Sequence, residues 1–139
     1  MKRRGAEAQR TDEVFVDQSL SRKVIGAAIE VHRTLGPGFA ESVYDRALCV
    51  ELELRQIPFR RQVPVVAEYK GHCVGRSQLD LLVDERLVVE LKAVEALMPV
   101  HRAQLLSYLR VVRCQVGLLI NFNVEALREG VRRIVLSDP

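Results

Sequence analysis

The sequence predicts an α/β or α+β layer fold, a mixed central sheet flanked by helices. Two observations predict it. Segments with helical spacing and segments with strand character follow each other in the order α-α-β-β-β-α-β-β along the 139 residues. One strand segment, "QVGLLINF" at 115–122, is apolar without alternation, the pattern of a strand covered on both faces.

The first 17 residues carry a basic start but no apolar stretch behind it, so they do not read as a secretory signal. A flexible tail is expected over 1–17 and a single domain over 18–139. From Ser19 to Leu35, apolar residues recur at a helical period, with Ser19 or Ser21 available as a cap and "GPG" at 36–38 as the stop. A second helix is expected from Phe39 or Ala40 to about Arg55, with Val43, Tyr44, Ala47, Leu48, Val50 and Leu54 on one face. The strands "IPFRRQVPVVAEY" and "HCVGRSQLDLLV" flank Lys70-Gly71, a favourable hairpin turn. Pro58 and Pro64 assign the first of these to an edge, or to a strand that enters late. "LVVELKA" continues after a short "DER" turn. "PVHRAQLLSYLRVVR" is helical, with Pro99 suited to the first turn. "VEALREGVRRIVL" ends the chain as a turn of helix and a strand.

Composition excludes some classes. Hydrophobic residues at 48% and charged ones at 28% match a globular chain, and no apolar run approaches the ~18 residues of a membrane span. A formal charge of +3 permits a polyanionic partner without requiring one. Cys49, Cys73 and Cys114 are odd in number and widely spaced in apolar contexts. They read as reduced core thiols of a cytoplasmic protein, not as a zinc site or disulfide framework.

Within "LDLLVDERLVVELKA" (79–93), Asp80 and Glu90 interrupt apolar runs and Lys92 follows. Burying a carboxylate without a partner costs several kcal/mol or shifts its pKa. If residues 84–86 form a three-residue loop, Val83 faces Leu87, Leu82 faces Val88 and Asp80 faces Glu90, while Lys92 shares Glu90's face. Two explanations fit. The carboxylates either pair with arginines such as Arg76 or Arg102, or hold a divalent cation beside a lysine, the parts of a phosphodiesterase.

Asp80 followed by "ELK" at 90–92 resembles the D…(D/E)-x-K signature of the PD-(D/E)XK nuclease superfamily. "GFAESVY" at 38–44, "QLLSYL" at 104–109 and "GLLINFNV" at 117–124 resemble blocks of its GxxExxY branch, in the expected order from about 19 to 136. The resemblance implies a restriction-endonuclease-like αβββαβ core with a metal site at one edge of the sheet. It implies Asp80 and Glu90 as ligands of Mg²⁺ or Mn²⁺, the main-chain carbonyl of Leu91 as a further ligand, and Lys92 acting on the hydrolytic water. The resemblance likewise implies Glu41 as the assisting helix carboxylate and a candidate ligand. Gln104 and Tyr108 resemble the Q-x-x-x-Y motif of RecB-like nucleases. No expected catalytic position is replaced.

Tyr44, Tyr108 and His101 are weaker candidates for substrate contact. His32 reads as a satisfied core histidine, and Glu51 as one half of an ion pair with an arginine. The expected activity is Mg²⁺-dependent hydrolysis of DNA. The alternatives are a non-catalytic module that binds nucleic acid or protein, and a nuclease subunit needing a partner for specificity. A homodimer is compatible with the sequence, and a membrane partner is not expected.

Overall fold

The computed structural model describes side chains for residues 18–137, so the tail expected over 1–17 lies outside the residues whose side chains are described. The elements are α1 (Lys2–Leu35), α2 (Glu41–Leu54), β1 (Phe59–Tyr69), β2 (His72–Val83), β3 (Leu87–Lys92), α3 (Pro99–Val112), β4 (Val116–Asn121), a 3-10 turn (Leu127–Gly130) and β5 (Val131–Val135). The five strands form one sheet in the order β1-β2-β3-β4-β5. β3 and β4 pair in parallel and all other neighbours are antiparallel. The sheet is therefore mixed, and α3 is the crossover that parallel neighbours require.

One face of the sheet packs on α1 and α2 through Val24, Ala28, Tyr44, Leu48, Leu81 and Leu91, among others. The other packs on α3 through Leu105 and Leu109 against Leu79, Val88 and Leu119. β4 is buried along its whole length, as its unalternating sequence requires. Pro64 lies on β1 at the sheet edge, where a missing N–H costs least. Lys70 and Gly71 both have positive φ, 49° and 82°, matching the two-residue turn whose twist suits a hairpin.

Two helix readings need correction. Ser19 and Ser21 lie within α1 rather than capping it, and Ser21 is buried. α2 is rotated from the expected face: Tyr44, Asp45, Leu48, Cys49 and Leu52 are buried, while Val50 and Leu54 are exposed. Leu52 joins Tyr44 and Leu48 in the core, and Asp45, carried to the same side, is held there by Arg61 of β1 (3.0 Å). Cys73 is also exposed and not a core thiol, whereas Cys49 and Cys114 are buried. Glu51 pairs with Arg55 at 2.7 Å, and His32 is buried with Nε2 2.8 Å from the Val124 carbonyl, as their positions predict.

Candidate active site

The β2–β3 ladder is only three rungs long: Val83 with Leu87, Leu82 with Val88, and Leu81 with Val89. The next rung would set Asp80 against Glu90. Instead the two carboxylates replace it. Glu90 Oε1 accepts from the Asp80 backbone N–H at 2.7 Å, and Asp80 Oδ2 accepts from the Leu91 N–H at 2.7 Å. Each side chain thus satisfies a donor that the interrupted ladder leaves over. The two carboxylates stay close enough for the charge of Asp80 to act on Glu90.

The break also shows in the faces. Leu81 packs on the α1/α2 side and Leu79 on the α3 side, although two residues apart on one strand normally share a face. β1 changes sides at the same level. Phe59 packs with the first core and Val63 with the second, and between them Gln62 has a φ of 50°. Left-handed backbone at a non-glycine residue is costly, of the order of 1 kcal/mol or more. It lies where the hairpin twists to present Asp80.

Among the described residues, Asp80 Oδ1 and Glu90 Oε2 accept no hydrogen bond, and no arginine forms an ion pair with either carboxylate. Pairing with Arg76 or Arg102 is therefore not the arrangement adopted. Burial, then the charge of Asp80, pushes Glu90 up to about 8, only partly opposed by its hydrogen bond from Asp80 N–H and by Lys92. Burial also raises Asp80, against the pull of the Leu91 N–H. Glu41, the first residue of α2, is raised by partial burial and then by Asp80, with Lys92 opposing. Three carboxylates thus share one field.

Lys92 ends β3 and donates from Nζ to Gln104 Oε1 on α3 at 3.1 Å. The loop that follows is tied down by Asn121, at the end of β4 and 2% exposed. Its side chain bonds both the N–H (3.0 Å) and the carbonyl (2.9 Å) of Val94. Phe122 N–H donates to the Lys92 carbonyl at 2.9 Å. Along a strand the carbonyls alternate between neighbours. Lys92 turns its carbonyl to β4, so Leu91 turns its own toward β2, beyond the last rung.

The remaining candidates separate. Tyr44 is fully buried, stacked on Phe122 with ring centroids 4.6 Å apart, and its hydroxyl bonds Gly36 and Phe39. It holds the 36–38 loop and offers a substrate no surface. Tyr108 is 8% exposed, within the α3 core. His101 Nδ1 accepts from the Met98 N–H at 2.9 Å and closes the first turn of α3. Asp45 with Arg61 escaped sequence reasoning. Asp45 is 8% exposed, lies in the field of Asp80 and Glu41, and is bonded by both Nε and Nη2 of Arg61. Its signal was an acid directly beside Tyr44, one turn after Glu41 on the same helix.

The oxygen set fits a hard divalent cation: two carboxylate oxygens and a main-chain carbonyl, the donor type that Mg²⁺ prefers. Among the described residues, no group of three His, Cys, Asp or Glu side chains is gathered closely enough to hold a metal ion by side chains alone. A cavity of about 500 Å³, lined by Lys23, Arg55 and Arg86, lies by the 84–86 turn at the far end of β3 from Lys92.

Residues 18–134 match the model of the PD-(D/E)XK nuclease superfamily. The chain belongs to that superfamily. Its members are generally nucleases, and its fold accounts for the mixed sheet with helices on both faces. No curated protein and no solved structure matches the chain. No helix among the described residues is long and apolar enough to cross a membrane.

Proposed function

We propose that this member of the superfamily, from its GxxExxY branch, is a metal-dependent nuclease that hydrolyses phosphodiester bonds of DNA. One observation supports the reading above others. Asp80 and Glu90 each give one oxygen to the opposite strand and keep the other free, on the edge to which Leu91 turns its carbonyl. That construction fixes the carboxylates without consuming them.

Asp80, Glu90 and the Leu91 carbonyl hold the cation. When bound, Mg²⁺ or Mn²⁺ polarises the phosphoryl group and lowers the pKa of a bound water. Lys92, steadied by Gln104, orients the attacking water and offsets charge that develops on the phosphoryl oxygens. Glu41 assists from α2, with a carboxyl that holds its proton more readily than a free one. The field of three carboxylates favours a cation, because a positive charge relieves the repulsion that raises Glu90.

The test is cleavage of labelled duplex and single-stranded DNA with Mg²⁺ or Mn²⁺, with EDTA, and by Asp80→Asn. Asparagine keeps an oxygen for the Leu91 N–H and so preserves the hairpin. Cleavage is expected with metal, none with EDTA, and a loss of at least about 100-fold in the variant. Cleavage indifferent to EDTA, or retained by the variant, defeats the proposal.

A further inference from the structure

β1 and β2 share ten paired positions, running out to Glu68–Cys73 and Tyr69–His72. β2 and β3 share three. The outer half of this hairpin therefore extends past β3, seated on α3 as far as Val63 and Val65 and free beyond them, and every residue from His72 to Gln78 is exposed. Asp80 stands at its base, where Gln62 and the change of faces re-aim both strands. The structure thus carries an arm that begins at the candidate active site.

We propose that this arm is a nucleic-acid clamp, gripping the phosphate backbone on one side of the cut. The proposal rests on the nuclease reading and adds where the substrate lies. Charge favours it: Lys70 and Arg76 stand against Glu68 alone. Chemistry favours it too. The tip sets Tyr69, 60% exposed, beneath the Lys70 ammonium, 5.3 Å from the ring centroid. An aromatic and a cation together suit a base face or a groove wall. Partway down, Arg76, Ser77 and Gln78 with Pro64 line an open cavity of about 600 Å³, offering a guanidinium and hydrogen-bond donors to phosphate oxygens.

The length is right for a duplex. The eight residue-to-residue steps from His72 to Asp80 at about 3.3 Å each reach about 26 Å, some eight base pairs at about 3.4 Å per step. A protein partner fits less well. A stable interface buries roughly 800 Å² on each side around an apolar centre, and the only large apolar side chains exposed on the arm are Tyr69 and Val74. Strand addition by a second copy along β1 is blunted by Pro64 and by the irregularity between Ala67 and Glu68.

The native thiols give a direct test, because Cys73 on the arm is exposed while Cys49 and Cys114 are buried. The wild-type protein, labelled at Cys73 with a photoactivatable cross-linker, is mixed with duplex DNA in EDTA and irradiated. Cross-linking that unlabelled DNA and salt compete away is expected. No cross-link under conditions where the same protein retards DNA overturns the clamp. In parallel, the Lys70→Ala/Arg76→Ala pair is titrated with labelled duplex across salt concentrations. Affinity should fall about tenfold or more, and the slope of log affinity against log salt should shrink by about 2. An unchanged affinity and slope overturns the clamp while leaving the nuclease reading intact. A wild-type protein that neither binds nor cuts any nucleic acid defeats both.

Discussion

Glu90→Gln should stabilise the metal-free protein, and only at high pH. Glu90 is 4% exposed, and burial with the nearby Asp80 charge raises it from its ordinary value near 4.5 to about 8. Between those two values the folded protein binds more protons than the unfolded chain, so stability falls as pH rises. The contribution is fully present below about 4.5 and lost above about 8. At about 1.4 kcal/mol per pH unit, the gap of 8 − 4.5 sets a ceiling of about 5 kcal/mol on what Glu90 costs when ionised. Backbone relaxation and water entry lower that, leaving about 2–5 kcal/mol. Glutamine keeps an oxygen for the Asp80 N–H and cannot ionise. The assay is thermal and urea unfolding of wild type and variant in EDTA from pH 5 to 9. The two should coincide near pH 5, and at pH 9 the variant should melt about 5–15 °C higher. Mg²⁺ at pH 8 should then stabilise the wild type more than the variant. Equal stability at pH 9, or a wild-type profile without the fall, refutes the electrostatic account of the site.

Gln104→Leu removes the partner of the Lys92 ammonium and should lower kcat about tenfold. It should also shift the pH–rate profile, which a purely structural lesion would not do; an unmoved profile argues against a role through Lys92. Gly130→Ala places a Cβ 2.2 Å from the Asn121 carbonyl oxygen, a backbone atom that can move only with β4. Urea unfolding should show a loss of about 2–4 kcal/mol, and a change under ~0.5 kcal/mol would contradict the packing described.

The order of elements was legible because each carries a period and a stop: "GPG" after the first helix, Lys70-Gly71 between strands, the unbroken apolar run of β4. The Asp80, Glu90 and Lys92 constellation was legible because charges in apolar strands are rare enough to need a reason. The pairing arithmetic gave the observed register, Val83 with Leu87 and Leu82 with Val88, but missed that the ladder stops before Asp80 and Glu90. It assumes a continuous ladder, and here the two side chains take over the hydrogen bonds of the missing rung. The burial of Asp45 on α2 was hidden because its partner Arg61 lies 16 residues away in the chain, and helical periodicity sees only local neighbours. Tyr44 stands in a motif, and the sequence does not distinguish a motif residue that touches a substrate from one that holds a loop. Its burial against Phe122 does. The arm beyond Asp80 was invisible for a similar reason: strand lengths can be read from a sequence, but not where the neighbouring strand stops.

The most direct test of the account is single-turnover cleavage of a labelled DNA duplex by wild type and by Lys92→Ala, each with saturating Mg²⁺. Lys92 is partly exposed at a strand end and its side chain donates to Gln104, so alanine should leave the fold intact by circular dichroism. The account predicts a rate at least about 100-fold lower in the variant. A folded Lys92→Ala protein that cleaves at the wild-type rate would contradict it.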